Sequence, residues 1–192
     1  QITNLQKLSS GKFYDSDVIR DANNNIKGYF MLFETDKIAK ETVELEYIVL
    51  DENLTKVTNG LITEMKFESL LINSKKINVD VSLYKDKLLI RLSDDFNGME
   101  AYLRFRILDL KTNKLSENFI FNKGELKMNP KFDRKIKNYQ ENMSQDFFFL
   151  DNVGLVVDSK ETKDKIETRF LAHYDENFNQ KWKYIYSESD NK

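Results

Sequence analysis

The strict alternation of apolar and polar residues limits what this chain can fold into more than any other feature. The segment 43–49 reads VELEYIV, so every second side chain is apolar, which is the period of a β-strand with one face in water. The same period is found over 79–83 and 102–108. Shorter apolar segments of the same kind lie at 88–92, 119–121, 155–157 and 170–171.

Clusters of Asp, Asn and Lys separate these apolar segments. They lie at 21–25, 51–53, 111–114 and 175–177, and residues of these types favour tight turns. A series of short strands joined by tight turns is typical of an antiparallel β-meander. We therefore predict an all-β fold.

One segment departs from this pattern. The apolar density falls between 122 and 142, where the only proline, Pro130, is found. Phe132, Ile136 and Tyr139 follow it at helical spacing, and proline is well tolerated in the first turn of a helix. We predict one short amphipathic helix over 131–141, within a linker that covers 124–142.

An internal repeat divides the chain. An apolar–Asp–Glu–Asn–apolar motif occurs at 50–54 and 174–178, and a related motif with a longer turn, LDLKTNKL, lies between them at 108–115. Because each motif follows a predicted strand, the sequence indicates three β units. They cover 1–66, 67–123 and 143–192. Each unit is expected to hold four strands, which in the first unit lie at about 14–20, 27–35, 42–50 and 56–66.

On these turn motifs the chain resembles the blade-type repeats of secreted bacterial β-propeller-like proteins. The resemblance implies that neighbouring four-stranded sheets stack and cover one another's apolar faces. Since propellers typically have four to eight blades, three units imply an open array, a fragment of a longer protein, or an assembly that supplies more blades. The alternative for 192 residues is a two-sheet β-sandwich, in which the spacing of the motifs is a coincidence.

Composition excludes several classes of function. Thirty basic and thirty-two acidic residues leave a net charge of −2, so we expect no nucleic-acid-binding surface. One histidine and no cysteine remove thiol chemistry and most metal chemistry, so we expect no metal site and no cofactor. No apolar run is long enough for a membrane-spanning helix. A first residue other than Met and the lack of cysteine fit an exported bacterial protein, of the periplasm, cell surface or medium.

Two polar features are expected to be structural. The segment 21–25 has the alternate oxygen donors of a calcium loop, but Ile26 stands where that loop needs glycine, so we interpret it as a turn. His173 is expected on the face of its strand that also carries Arg169 and Leu171, opposite Phe170 and Ala172, at the surface or edge of a sheet.

The aromatic and arginine residues of two predicted strands are the candidate binding residues. Trp182, Tyr184 and Tyr186 share one face of the last strand. We expect this stripe to fill the core, and the alternative is an exposed platform for a sugar or another protein. Arg104 and Arg106, on a strand face with Tyr102, are the candidates for a wet interface, where Tyr and Arg are enriched.

These observations predict a non-catalytic, exported bacterial β-protein that acts as an interaction or scaffold subunit of a cell-envelope or outer-membrane complex. Exposed sheet edges suit such contacts with protein partners. The alternative is a carbohydrate-binding module that stacks aromatic strand faces on polysaccharide. A hydrolase with paired acids, such as Asp94 and Asp95, ranks third, because adjacent acids are expected by chance among thirty-two.

Overall fold

The structure is a computed structural model, and every regular element in its described part is a β-strand. The described residues are 9–38, 42–65, 76–96, 99–122, 125–128, 146–150, 153–163, 166–175 and 177–186. The prediction of an all-β fold is thus confirmed. The short helix predicted over 131–141 lies outside the described residues, and no helix occurs within them.

Sheet one is an antiparallel meander of four strands, in the spatial order β1-β2-β3-β4. The strands are β1 (Lys12–Arg20), β2 (Ile26–Ile38), β3 (Thr42–Asp51) and β4 (Lys56–Met65). Their bounds lie close to those predicted for the first unit. The alternation over 43–47 corresponds to a strand that is buried on one face and partly exposed on the other, whereas Ile48 and Leu50 are buried on that second face as well.

Sheets two and three follow in chain order. Sheet two has the path β10-β9-β7-β6-β5, with β8 paired to β7, and sheet three has the order β11-β12-β13-β14. The strands of sheet two are β5 (Lys76–Tyr84), β6 (Lys87–Phe96), β7 (Met99–Asp109), β8 (Lys114–Leu115), β9 (Phe119–Asn122) and β10 (Glu125–Met128). Those of sheet three are β11 (Asp146–Leu150), β12 (Gly154–Lys163), β13 (Ile166–Tyr174) and β14 (Gln180–Tyr186).

The three sheets form three layers, with sheet two in the middle. One apolar cluster joins sheets one and two and includes Leu45, Ile62, Ile90 and Leu108. A second cluster joins sheets two and three and includes Phe105, Phe119, Phe170, Ala172 and Tyr174. For sheets two and three, we call the face that points toward sheet one the back face and the opposite face the front face. For sheet one, the face packed on sheet two is the front face and the opposite face is the back face. Burial of apolar area in these two seams supplies most of the core.

The first strands of sheets one and two also meet edge to edge. The backbone amides of Ile77, Val79 and Val81 on β5 donate to side-chain oxygens of β1, at distances of 2.8, 3.2 and 2.8 Å. The acceptors are Tyr14 Oη, Asp15 Oδ2 and Asp17 Oδ2. Side chains thus satisfy an edge that would otherwise offer open amides to another strand. β11 of sheet three contacts β5 as well.

Three hairpins share one turn geometry, centred on an aspartate. In each, the aspartate amide donates to the carbonyl four residues later, and its Oδ1 accepts from the amides two and four residues later. The aspartates are Asp21, Asp51 and Asp175. The residue three positions after each has a positive φ, of 64, 65 and 61°. Asp21 therefore stabilises a hairpin turn, as expected. Its hydrogen bonds lower the pKa of its carboxyl group, and the bond from the Asn25 backbone amide has the largest effect.

The hairpins that follow Asp51 and Asp175 are also identical in strand register. Val49 pairs with Thr58 as His173 pairs with Trp182, and Leu45 pairs with Ile62 as Arg169 pairs with Tyr186. Both hairpins carry their register shift directly before the aspartate. Residues at equal distances from the two aspartates are therefore structurally equivalent in sheets one and three.

Candidate functional site

The aromatic stripe of β14 lies on the front face of sheet three. Trp182 is 46% exposed and Tyr184 is 61% exposed, because neighbouring Phe170 and Ala172 of β13 point the other way, into the seam with sheet two. The expectation that this stripe fills the core is wrong. Its alternative, an exposed aromatic platform, is what the structure has. The candidate site is built on it, and we call it the aromatic face.

Contacts between side chains hold the aromatic face in place. The rings of Tyr184 and Tyr186 stack with centroids 6.3 Å apart, and the rings of His173 and Trp182 lie 5.5 Å apart. The Tyr186 hydroxyl donates to Asp158 Oδ1 at 3.1 Å. Rings that are ordered before binding lose less conformational entropy when a ligand covers them.

A charged pair lies beside the stacked tyrosines. Arg169 Nη2 donates to Asp158 Oδ2 at 3.4 Å, and the Arg169 guanidinium lies 5.9 Å from the centre of the Tyr186 ring. Both charged side chains are partly exposed. The site thus combines flat apolar rings with a carboxylate and a guanidinium, which can hydrogen-bond a polar ligand.

Apolar residues that sequence reasoning did not single out extend the aromatic face to the far side of sheet three. Phe148 and Leu150 of β11 are about half exposed, and Val153 lies in the turn after them. Phe148 pairs with Val156, which pairs with His173, so these residues share the front face. The signal was the run FFFL over 147–150, but only the pairing shows which of its alternate side chains face outward.

His173 is part of this face and makes no catalytic pairing that the described residues show. Its Nε2 atom lies 2.7 Å from the carbonyl oxygen of Val153, so this nitrogen serves the turn between β11 and β12. A Ser-His-Asp arrangement would need that ring to face a hydroxyl and a carboxylate instead. The prediction that His173 shares a strand face with Arg169 and Leu171 is confirmed.

Arg104 and Arg106 lie on the back face of β7, in the seam between sheets one and two. Arg104 is fully buried, with its Nε atom 2.7 Å from Glu64 Oε2 and its Nη1 atom 2.6 Å from Asp94 Oδ2. Arg106 Nε donates to Glu64 Oε1 at 3.0 Å, and Asn118 donates to the same carboxylate. These arginines therefore serve an internal seam and not the wet surface expected from the sequence.

Electrostatics keeps the buried Arg104 guanidinium charged. Burial alone would lower the pKa of Arg104, but Glu64 and Asp94 outweigh that effect and raise its pKa. The third residue of this strand face, Tyr102, lies in β7, and its side chain is outside the described part of the structure. Arg104 and Arg106 are thus not brought together with the aromatic face, which lies on another sheet.

A cleft of about 360 Å³ lies on the back face of sheet one, away from the aromatic face. Its walls are mostly apolar: Ser16, Asp17, Val18, Tyr29, Met31, Leu50 and Leu54. Beneath it, Met31, Phe33, Ile48 and Leu50 form a third apolar cluster. Sheet one thus has an apolar back face as well as an apolar front face.

Among the residues that the structure describes, no group of three or more His, Asp or Glu side chains is placed to hold a metal ion. No helix in the same part of the chain is long and apolar enough to cross a membrane.

Comparison with known proteins gives a family but no function. The model of a family of unknown function (DUF6770) matches residues 2–192. No curated protein matches the chain, and no solved structure matches it.

Proposed function

We propose a non-catalytic role in binding for this chain, which belongs to the DUF6770 family: it acts as an interaction or scaffold subunit that docks a protein partner on its aromatic face. The observation that carries this proposal is the exposure of Trp182 and Tyr184 beside Phe148 on one sheet face. Contiguous exposed apolar patches mark interaction sites on soluble proteins. Tyr, Trp and Arg are also the residue types that dominate interface energetics.

We propose that the three sheets are arranged as blades of a partial β-propeller rather than as a sandwich. Two features support this arrangement. Sheet two is covered on both faces by its neighbours, whereas a sandwich has two sheets with one shared core. The first strand of sheet two also contacts the first strands of both other sheets, as expected for blades around a common axis.

We propose an exported location, in a bacterial envelope assembly, on the sequence argument alone. Fractionation of the source cells with an antibody to the chain tests it. Recovery in the envelope or medium is expected, and recovery with a cytosolic marker enzyme would contradict it.

The docking proposal is tested by capture of partners with two matched variants of β14. Tyr184→Glu places a charge on the aromatic face, whereas Ile185→Glu places it on the opposite side of the same strand, at a residue that is 53% exposed. Partners from native envelope extract should be retained by the wild type and by Ile185→Glu but lost by Tyr184→Glu. Equal retention by both variants would overturn the proposal.

A carbohydrate-binding module is the second candidate, favoured by the stacked Tyr184–Tyr186 pair next to the charged Asp158 and Arg169. Sugar rings stack on aromatic faces while their hydroxyl groups bond to such polar side chains. Trp182 is the only tryptophan, so its fluorescence reports directly on this face. Saturable quenching by a soluble polysaccharide, absent in Tyr186→Ala, would favour this candidate over protein docking.

A further inference from the structure

We infer that β14 pairs with β14 of a second copy of this chain, antiparallel and about a two-fold axis at Tyr184, so that two copies share one continuous sheet. The inference goes beyond docking on the aromatic face, because it concerns the edge of sheet three and not its face. It follows from the exposure, the charges and the residue order of this last strand.

β14 is the outermost strand of sheet three and is exposed on both of its sides. It pairs with β13, and no other strand that the structure describes pairs with it. Tyr184 is exposed on the front side, and Ile185 is 53% exposed on the back side, where its neighbour Phe170 is buried. Because the backbone bonds of antiparallel pairs alternate in direction, an outermost strand turns every second amide and carbonyl away from its sheet. β14 thus has the kind of edge onto which another strand can add.

The lysines of β14 do not protect this edge. Edge strands are commonly protected against added strands by charged side chains, above all lysine. Lys181 Nζ lies 2.8 Å from Asp175 Oδ2, and Lys183 Nζ lies 4.3 Å from the centre of the Phe170 ring. Both side chains are held against their own sheet, which leaves the edge of β14 accessible.

The equivalent strand of sheet one, β4, has a different edge. Gly60 and Leu61 occupy the positions of Tyr184 and Ile185, and Leu61 is as exposed as Ile185. Gly60 offers no side chain to an added strand, and the Tyr47 ring fills the space where a Cβ atom would lie. Exposure alone therefore does not distinguish the two edges. The aromatic side chains of β14 do.

The residue order of β14 favours one register for pairing with itself. With Tyr184 opposite Tyr184 of the partner, Trp182 lies opposite Tyr186, and Lys183 lies opposite Ile185. Cross-strand aromatic pairs stabilise a sheet, whereas like charges directly opposite each other destabilise it. A register centred on Lys183 would oppose the two lysines. The register centred on Tyr184 opposes no like charges over 182–186.

This pairing joins the aromatic faces of the two copies. Directly paired residues of antiparallel strands point to the same side of a sheet, so both front faces lie on one side. Sheet three has four strands, and the joined sheet has twice that number. Trp182 and Tyr186 of the two copies become cross-strand neighbours at its centre. A protein partner then meets a surface twice as wide as that of one chain.

Sedimentation equilibrium of the purified chain over a wide concentration range tests the inference. One strand from each copy forms a small interface, so we expect reversible association, with a mass that rises from one chain to two. Ile185→Lys places a lysine opposite Lys183 of the partner and should lower the association constant at least tenfold. Ile185→Glu places the opposite charge there and should retain the dimer. Leu61→Lys is the matched control on β4 and should associate as the wild type does.

A cysteine at the two-fold axis tests the register directly. The chain has no cysteine, and directly opposite residues of an antiparallel pair have Cα atoms about 4.5–5.5 Å apart, within the range of a disulfide. Tyr184→Cys should therefore form a covalent dimer when oxidised glutathione is the oxidant. Ile185→Cys is the control, since its two copies lie diagonally, about 7–8 Å apart, and should not cross-link.

Three results would overturn the inference. The first is a monomeric mass of the wild type at every concentration. The second is equal association constants for Ile185→Lys and Leu61→Lys, and the third is a dimer in which Tyr184→Cys does not cross-link. Near-native circular dichroism of each variant separates loss of pairing from loss of folding.

A variant of β11 keeps this inference separate from the docking proposal. Phe148 lies on the aromatic face but on β11, at the opposite edge of sheet three from β14. Phe148→Glu should therefore lose envelope partners and keep the dimer. If the wild type is monomeric and Phe148→Glu still loses those partners, self-pairing is overturned while docking on the aromatic face is supported.

Discussion

Arg104 Nε donates a hydrogen bond to Glu64 Oε2 at 2.7 Å, and this contact joins sheet two to sheet one through side chains that are both fully buried. The same guanidinium reaches Asp94 at 2.6 Å. The apolar seam therefore contains a charged cluster. Removing one of its members should destabilise the fold, because a buried charge without a partner is costly.

We expect Glu64→Ala to lower the free energy of unfolding by about 3–5 kcal/mol, the usual effect of removing one partner from a buried ion pair. Urea denaturation followed by circular dichroism measures it. As a control, Asp80→Ala removes the partner of Arg91 at a more exposed pair and should cost about 1 kcal/mol or less. Equal losses in the two variants would show that the buried cluster has no special role.

The turn aspartate Asp175 should make stability depend on pH. The Lys181 ammonium and the Asn179 amide lower the pKa of its carboxyl group, so the folded protein binds its proton more weakly than the unfolded chain. Its contribution is complete above the unfolded pKa of about 3.9 and is lost as the pH falls from there toward the folded value. Asp175→Asn should thus be less stable than the wild type at pH 7, and the difference should shrink below about pH 4.

Thermal melts of the wild type and Asp175→Asn between pH 7 and pH 2.5 check this expectation. Asp36→Asn, at an exposed strand position, is the control and should track the wild type throughout. If the difference in melting temperature between the wild type and Asp175→Asn stays constant with pH, the effect is due to turn geometry alone.

Leu54 and Phe178 share an unfavourable backbone conformation, with φ of 65 and 61°, but differ in burial. Glycine relieves the left-handed conformation by about 1 kcal/mol. Leu54→Gly should therefore leave stability unchanged or raise it, whereas Phe178→Gly should lower it by about 2–3 kcal/mol because a buried ring is lost. Chemical denaturation measures the unfolding free energy of both variants. A higher stability of both Leu54→Gly and Phe178→Gly would contradict the burial of Phe178.

Aromatic residues on opposite sides of sheet three should respond differently to truncation. Phe170 is fully buried and Tyr184 is mostly exposed. Phe170→Ala should cost about 3–5 kcal/mol of unfolding free energy, and Tyr184→Ala about 0.5 kcal/mol or less. Denaturant titration of each variant measures the two losses of unfolding free energy. A large loss for Tyr184→Ala would place the aromatic stripe in a core.

Much of the local structure could be predicted from the sequence. The period of two over 43–49 and the Asp-Glu-Asn turns at 51–53 and 175–177 depend only on side-chain alternation and on local hydrogen bonds. The strands of sheet one, the turn at Asp21 and the strand face of His173 follow from those rules. The turn motifs prove to be equivalent in space because identical local bonds produce identical hairpins.

The site was harder to predict, because alternation separates two faces without saying what covers either. Trp182, Tyr184 and Tyr186 were correctly placed on one side of β14, but their exposure depends on whether another sheet follows sheet three. Arg104 and Arg106 look like surface residues until Glu64, distant in the chain, is brought against them across the seam.

The order of residues alone determined where this chain extends, where it turns and which side chains share a strand face, since those properties arise from neighbours within a few residues. Tertiary structure alone decided that sheet two lies between the other sheets, that a charged cluster is buried between sheets one and two, and that Trp182 faces water. The physical reason is that the burial of a side chain depends on the surface that packs against it, and that surface is formed by strands far away in the sequence.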